Sequence, residues 1–206
     1  MFYIGSCRID AIQYLHNHVH NTKQILITLE YLLKNINGHQ YGEIHTSVPS
    51  GSIIETMRNK IKNSKTIIIE ISTLKIWKNN NGDLIHWAHI KNREYKQSII
   101  TKEEFLSDLN KITNLLHTKK VIFVSHINIP ISKFNETIDC NGETRWISNQ
   151  FIDRNERKNL DDNISVCNKN SQKIVNRDLI EKYIDEYIRQ SNKNVIHFKP
   201  YDYISK

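Results

Sequence analysis

A serine and a cysteine stand side by side in "MFYIGSCRID", where a short apolar run ends at Gly5 and is followed by Ser6, Cys7 and Arg8. Both are potential nucleophiles: a serine becomes one when a neighbouring base takes its proton, and a cysteine when a nearby cation favours its thiolate. Polar residues of similar chemistry follow other apolar runs. Glu70, Ser72 and Thr73 come after "KTIII", and Ser125, His126 and Asn128 come at the end of "KKVIFVSHIN". Asn194 and His197 belong to the last short run, and His16, His18 and His20 precede a helical stretch. Brought to one place, a serine, histidines, an arginine, a glutamate and an asparagine supply a nucleophile, a base, a charge clamp and oxyanion donors. The alternative reading is that polar residues gather at strand ends because chains turn there. Neighbours in an extended turn point to different sides, so only one of Ser6 and Cys7 can face a site. A small buried residue is the ordinary role of a cysteine in such a place.

The elements that must position these residues alternate. "FYIG" suits a buried strand that hands over to a turn. "NTKQILITLEYLLKNING" carries Ile25, Leu26, Leu29, Leu32 and Leu33 at helical spacing, with Asn21 or Thr22 to cap its start and Gly38 to follow its end. "YGEIHTSV" is a weak strand candidate, and "SGSIIETMRNKIKNS" a second helix with Ile53, Ile54, Met57 and Ile61 on one face. "KTIIIEIST" is β-branched without alternation, the pattern of a parallel strand covered on both sides. Two aromatic and β-branched segments around "NNNGD" predict a hairpin excursion over about 74–97. "TKEEFLSDLNKITNLLH" opens with a capping box, Thr101 to Glu104, and "KKVIFVSHIN" follows as another buried strand. Residues 130–171 are polar and aperiodic, a long irregular insertion. "NRDLIEKYIDEYIRQ" then reads as an amphipathic helix capped by Asn176, and "NVIHF" as a final strand. This order predicts an α/β fold: a three-layer sandwich with a parallel sheet of about five strands, in one domain over residues 1–206. In such sheets ligands bind beyond the carboxyl ends of the strands, where the residues named above fall.

Composition narrows the partners. The chain of 206 residues has a formal net charge of +7, and its pI is about 9.2. That balance favours anionic partners such as nucleotides, nucleotide sugars, coenzyme A or nucleic acid. The Lys and Arg are scattered rather than grouped into a stripe, so no nucleic-acid partner is expected. Three cysteines, Cys7, Cys140 and Cys167, form no Cys-x-x-Cys pair, which points away from a disulfide framework or a thiolate zinc site and toward a reducing interior. No metal site is expected, "HNHVH" being too weak a pattern. No apolar run approaches the ~20 residues of a membrane span, and the start lacks a signal-peptide pattern. The expectation is a cytoplasmic protein with no membrane association. Arg8, Lys23 and Arg177 are candidates to hold an anionic group, and the start of the "NTKQI" helix, at Thr22, offers backbone N–H groups for the same purpose. No Gly-x-Gly-x-x-Gly or Gly-x-x-x-x-Gly-Lys is present.

A Ser in a Gly-Ser turn directly after the first strand resembles the SGNH (GDSL-like) hydrolases. The "GSC" form is similar to their GSCFA branch and to polysaccharide-associated proteins that begin "GSCR". "HNTKQI", "EISTLK", "FVSHIN" and "NRDLI" occur in the order seen in that group, so the resemblance spans most of the chain. It implies that Ser6 is the nucleophile, with its backbone N–H in an oxyanion hole. It sets Glu70 and Ser72 where the hydrolases carry a Gly-x-Asn-Asp block, although the Asn itself is missing. The Asp-x-x-His that supplies the family's general base after the last strand is also missing: the chain reads "NVIHFKPYDYISK" there. The base must then come from elsewhere, or the chain is the N-terminal part of a longer protein, or catalysis has been lost. His20 is the first substitute and His126 the second, with Asn128 beside it. His197 falls within its strand rather than at the end, and His16 and His18 suit a solvated surface.

These readings converge on acyl transfer. The expected activity moves an acetyl group from acetyl-CoA to a sugar or a nucleotide-linked amino sugar in glycan biosynthesis, with no metal. A carbohydrate esterase or deacetylase of the same fold is the alternative enzyme. A catalytically degenerate ligand-binding module is the alternative without turnover.

Overall fold

A computed structural model describes residues 1–5, 19–45, 50–86, 94–125, 179–191 and 193–200. Their architecture is α/β, with a four-stranded parallel sheet, a separate antiparallel strand pair and five helices. The parallel sheet is built from β1 (Phe2–Ile4), β2 (Thr66–Ile71), β5 (Lys120–Ser125) and β6 (Val195–Phe198), in that spatial order. Register aligns Ile4 with Ile69, Ile69 with Phe123, and Phe123 with His197. The antiparallel pair is β3 (Lys75–Lys78) with β4 (Lys96–Ile99).

Strands laid side by side in chain order, joined by right-handed crossovers, place every crossover on one face of the sheet. Burial follows that rule. Phe2, Ile4, Ile67, Ile69, Ile71, Val121 and Phe123 share one face and are all but inaccessible. The other face presents Tyr3, Ile68, Ile122 and Val124 half-buried, with Ile196 and Phe198 about 40% and 39% exposed. The two-sided burial that "KTIIIEIST" suggests is met on β2 at Glu70, 5% exposed, while Ile68 on the same face is half-buried between two inaccessible isoleucines.

The buried face meets α1 (Thr22–Lys34), α4 (Lys102–Leu115) and α5 (179–190) in one core that includes Ile25, Leu29, Phe105, Leu109, Ile112, Ile180 and Ile184. Asn21 caps α1 by accepting from the Gln24 N–H, and α4 carries the full Thr101/Glu104 capping box. Between α1 and β2 lie α2 (Gly38–Ile44) and α3 (Gly51–Asn63). The strand expected in "YGEIHTSV" is thus helical where it is described. Asn35 and Asn37, both at positive φ, reverse the chain after α1, and Tyr41 and Ile44 then bury at helical spacing, with Tyr41 stacked 4.3 Å from Tyr31. Without that strand the described sheet has four members rather than about five.

The hairpin expectation is met at its turn and altered beyond it. Asn79 and Asp83 close the turn, with Gly82 at φ 86°. Where it is described, the returning arm bridges Leu84 to Lys78, with Ile85 N–H donating to the Trp77 carbonyl, while Leu84 N–H donates to Gln40 Oε1 and His86 N–H to the Glu43 carbonyl. The longer partner of β3 is β4, from further along the chain.

Candidate functional site

The carboxyl ends of β1 and β2 gather the buried Asn21, Glu70 and His86 with the half-buried His20 and Ser72. Gly5 follows β1, and its carbonyl accepts from the Val19 N–H at 3.0 Å, which brings the chain just before α1 back against the end of β1. His20 comes next. Its carbonyl accepts from the N–H groups of Ser72 (2.9 Å) and Thr73 (3.2 Å), which tie it to the end of β2. The side chains meet as well, with His20 Nδ1 3.2 Å from Ser72 Oγ. Asn21 reaches across to the Lys75 carbonyl at 3.0 Å while capping α1, so the same residue sets the start of the helix and the position of His20.

Glu70 lies beneath this junction, 5% exposed. A Cβ on Gly5 would stand 2.7 Å from the Glu70 Cβ, so this close approach of β1 and β2 needs a residue without a side chain. His86, delivered by the departing hairpin arm, sets its ring 6.1 Å from that of His20. Along α1 the buried polar series continues: Thr28 Oγ1 lies 3.3 Å from His45 Nε2, and the His45 ring packs 4.3 Å from Tyr41. Burial pushes the Tyr41 hydroxyl up to about 12.

Hydrogen-bond polarity defines what His20 can do. Ser72 Oγ lies 3.3 Å from the His20 carbonyl, to which it can donate, and it can then accept from Nδ1–H. In that arrangement Nε2 is the basic nitrogen, the state a general base requires. The hydroxyl orients the ring but adds no negative charge.

Thr22 and Lys23 face α4 rather than this junction. Thr22 Oγ1 donates to Asp108 Oδ2 at 2.9 Å, and the Lys23 ammonium sits 3.1 Å from Glu104 and 3.6 Å from Asp108. Burial raises the Asp108 carboxyl, against the pull of Lys23 and Thr22. Lys23 is therefore neutralised within the fold, which argues against its use as an anion clamp. Of the other residues singled out, Ser6, Arg8, His126, Asn128 and Arg177 lie outside the described residues, as do Cys7, His16 and His18. The structure thus brings together Gly5, His20, Glu70 and Ser72, and separates Thr22 and Lys23 from them.

A second polar cluster joins β6 to α5. His197 Nδ1 lies 2.8 Å from Asp185 Oδ1, and Lys199 Nζ holds the other oxygen of that carboxylate at 2.6 Å and Glu181 at 3.3 Å. Burial holds the His197 imidazole below the usual histidine range despite Asp185. Burial alone would raise the Asp185 carboxyl, but hydrogen bonds from Lys199 and His197 outweigh it and hold it low. Sequence reasoning placed His197 within its strand, as observed, but left Asp185 unremarked. The available signal was strand alternation, which turns His197 toward the same face as Val195. His86 gave no comparable signal, because its place depends on where the hairpin arm goes.

Among the described residues no group of three or more His, Cys, Asp or Glu is arranged to hold a metal ion, and no helix is long and apolar enough to cross a membrane. No family model, curated protein or solved structure matches the chain.

Proposed function

We propose that this protein is an acyl-transfer enzyme of SGNH-like fold, moving an acetyl group from acetyl-CoA to a hydroxyl or amino group of a sugar or nucleotide-linked amino sugar. The observation that carries the reading is the Val19–Gly5 hydrogen bond. It sets His20 against the end of β1, whose next residue after Gly5 is Ser6. Ser6 Oγ attacks the acetyl carbonyl while its proton passes to His20 Nε2. The thiolate of coenzyme A leaves with that proton, and an acceptor hydroxyl then takes the acetyl group from Ser6 by the same exchange. Arg8 and Arg177 serve the anionic part of the donor or acceptor, since Lys23 is neutralised by Glu104 and Asp108.

The sheet order supports this reading by analogy. A flavodoxin-like order 2-1-3-4-5 places its switch point between the first and third strands. The described order β1-β2-β5-β6 corresponds to strands 1-3-4-5 of that series. The proposed whole is a three-layer sandwich with a parallel sheet of about five strands. The candidate site then lies at the switch point.

A second reading, a binding module without turnover, is favoured by one observation: a hydroxyl, Ser72, stands behind His20 where a carboxylate would stabilise the imidazolium. Acetyl-CoA turnover with nucleotide-linked amino sugars, measured beside p-nitrophenyl acetate hydrolysis, separates the two. Transfer that is lost in Ser6→Ala and His20→Ala supports the enzyme. Ligand-induced thermal stabilisation with no turnover supports the binding module.

A further inference from the structure

The β5–β6 edge carries a feature independent of that reading. Ser125 Oγ and His197 Nε2 are both inaccessible and have no hydrogen-bond partner among the described residues. Ser125 as a whole is 2% exposed, and the His197 side chain 4%. The two belong together by register. Phe123 pairs with His197 on neighbouring parallel strands, and Ser125 lies two residues beyond Phe123, so its side chain shares the face of His197. Strand spacing and rise put the two Cα atoms about 8 Å apart. A Cα separation of that size is within the span of a serine and a histidine side chain joined through one oxygen.

The hydrogen-bond polarity of the pair is also determined. Asp185 is held ionised by Lys199 and His197, so its Oδ1 accepts and His197 Nδ1 carries the proton. Nε2 is then an acceptor, while Ser125 Oγ can both donate and accept. The complementary guest is a group that donates to nitrogen and can exchange a hydrogen bond with a hydroxyl. Ser125 is the last residue of β5, at the end of the sheet where open parallel folds take their ligands.

We infer that Ser125 and His197, with Asp185 behind the imidazole, form a binding site for an O–H group, which donates to His197 Nε2 and is held by Ser125 Oγ. The O–H belongs either to a polyol ligand or to a structural water.

The sign of a stability change tests this. If the two atoms are unpartnered in solution, Ser125→Ala removes a buried unsatisfied hydroxyl, and the melting temperature stays level or rises. If they share a guest, the same change breaks a bridge, and the melting temperature falls by a few degrees. Long-range 1H–15N spectra of the full-length wild-type chain with labelled histidine, assigned with His197→Gln, give a readout independent of any variant's folding. The Nδ1–H tautomer with a hydrogen-bonded Nε2 is expected, and the Nε2–H tautomer overturns the site. Titration with glycerol and with N-acetylglucosamine distinguishes the sources. A saturable shift of His197 Nε2 identifies a ligand hydroxyl, and its absence together with an NOE from the His197 ring to a long-lived water identifies water. Neither response, with a level or raised melting temperature in Ser125→Ala, overturns the proposal.

Discussion

His20 and His197 sit toward the same end of one parallel sheet, and each is held through Nδ1, but by different chemistry. At the β1–β2 end the partner is the Ser72 hydroxyl, itself placed by the His20 carbonyl. At the β5–β6 end it is the Asp185 carboxylate, shared with Lys199. A hydrogen bond to an ionised group is roughly twice as strong as a neutral one and stabilises imidazolium. Even so, burial holds His197 toward its neutral form. The contrast separates two controls on a histidine. The partner at one nitrogen decides which nitrogen carries the proton, while burial of the ring decides how readily the second proton is taken up.

The comparison can be broken first at its stronger side. Asp185→Ala removes the acceptor of His197 and the main partner of Lys199, and a loss of about 2–3 kcal/mol is expected in urea unfolding. An effect no larger than that of Ser72→Ala would erase the distinction. Gly5→Ala probes the packing beneath His20: a Cβ 2.7 Å from that of Glu70 should cost about 2 kcal/mol. Wild-type stability there would mean that β1 and β2 separate more easily than their register suggests. Ser72→Ala should cost only about 1 kcal/mol. Its sharper readout is the tautomer of His20, which should lose its Nδ1–H preference in histidine 15N spectra while His197 keeps its own.

The gentlest probe is pH. Because burial lowers the pKa of folded His197 from 6.5, the unfolded chain takes up a proton first as pH falls. The stability associated with the neutral ring is therefore fully present above pH 6.5 and is lost as pH falls through the folded value. Asp185, Lys199 and Glu181 surround the ring, and Asp185 stays ionised across this window because its own pKa is lowered from 3.8. Urea midpoints measured from pH 8 to pH 5 should decline in the wild type and flatten in His197→Gln. A decline of equal size in both chains would assign the acid limb elsewhere. On the alkaline side Tyr41, raised to about 12, favours the fold below pH 10 and loses that contribution as pH rises through its folded value.

Much of the frame was legible because it rests on local patterns. The Thr101/Glu104 capping box, the apolar stripe of α1 and the β-branched run of β2 are each local signals within a dozen or so residues, and each element formed where it was read. Local pattern failed over 41–44, the first half of "YGEIHTSV", whose strand-like composition was overridden by the chain reversal at Asn35 and Asn37 and by stacking of Tyr41 on Tyr31. It failed again after the "NNNGD" turn, where the next arm found partners in α2, at Gln40 and Glu43, before β3 found β4. The candidate site was legible to the same degree. His20, Glu70 and Ser72 were marked by their places at element ends, whereas the engagement of Lys23 by α4 and the delivery of His86 depended on contacts across 40 or more residues.

The sequence by itself determined an α/β chain with parallel strands and polar residues at their carboxyl ends, because strand and helix periods are properties of short stretches. Only the tertiary structure decided which polar residues meet. Ser72 stands behind His20, and Asp185 behind His197, because strand register and helix placement set their distances, and neither can be read from spacing along the chain.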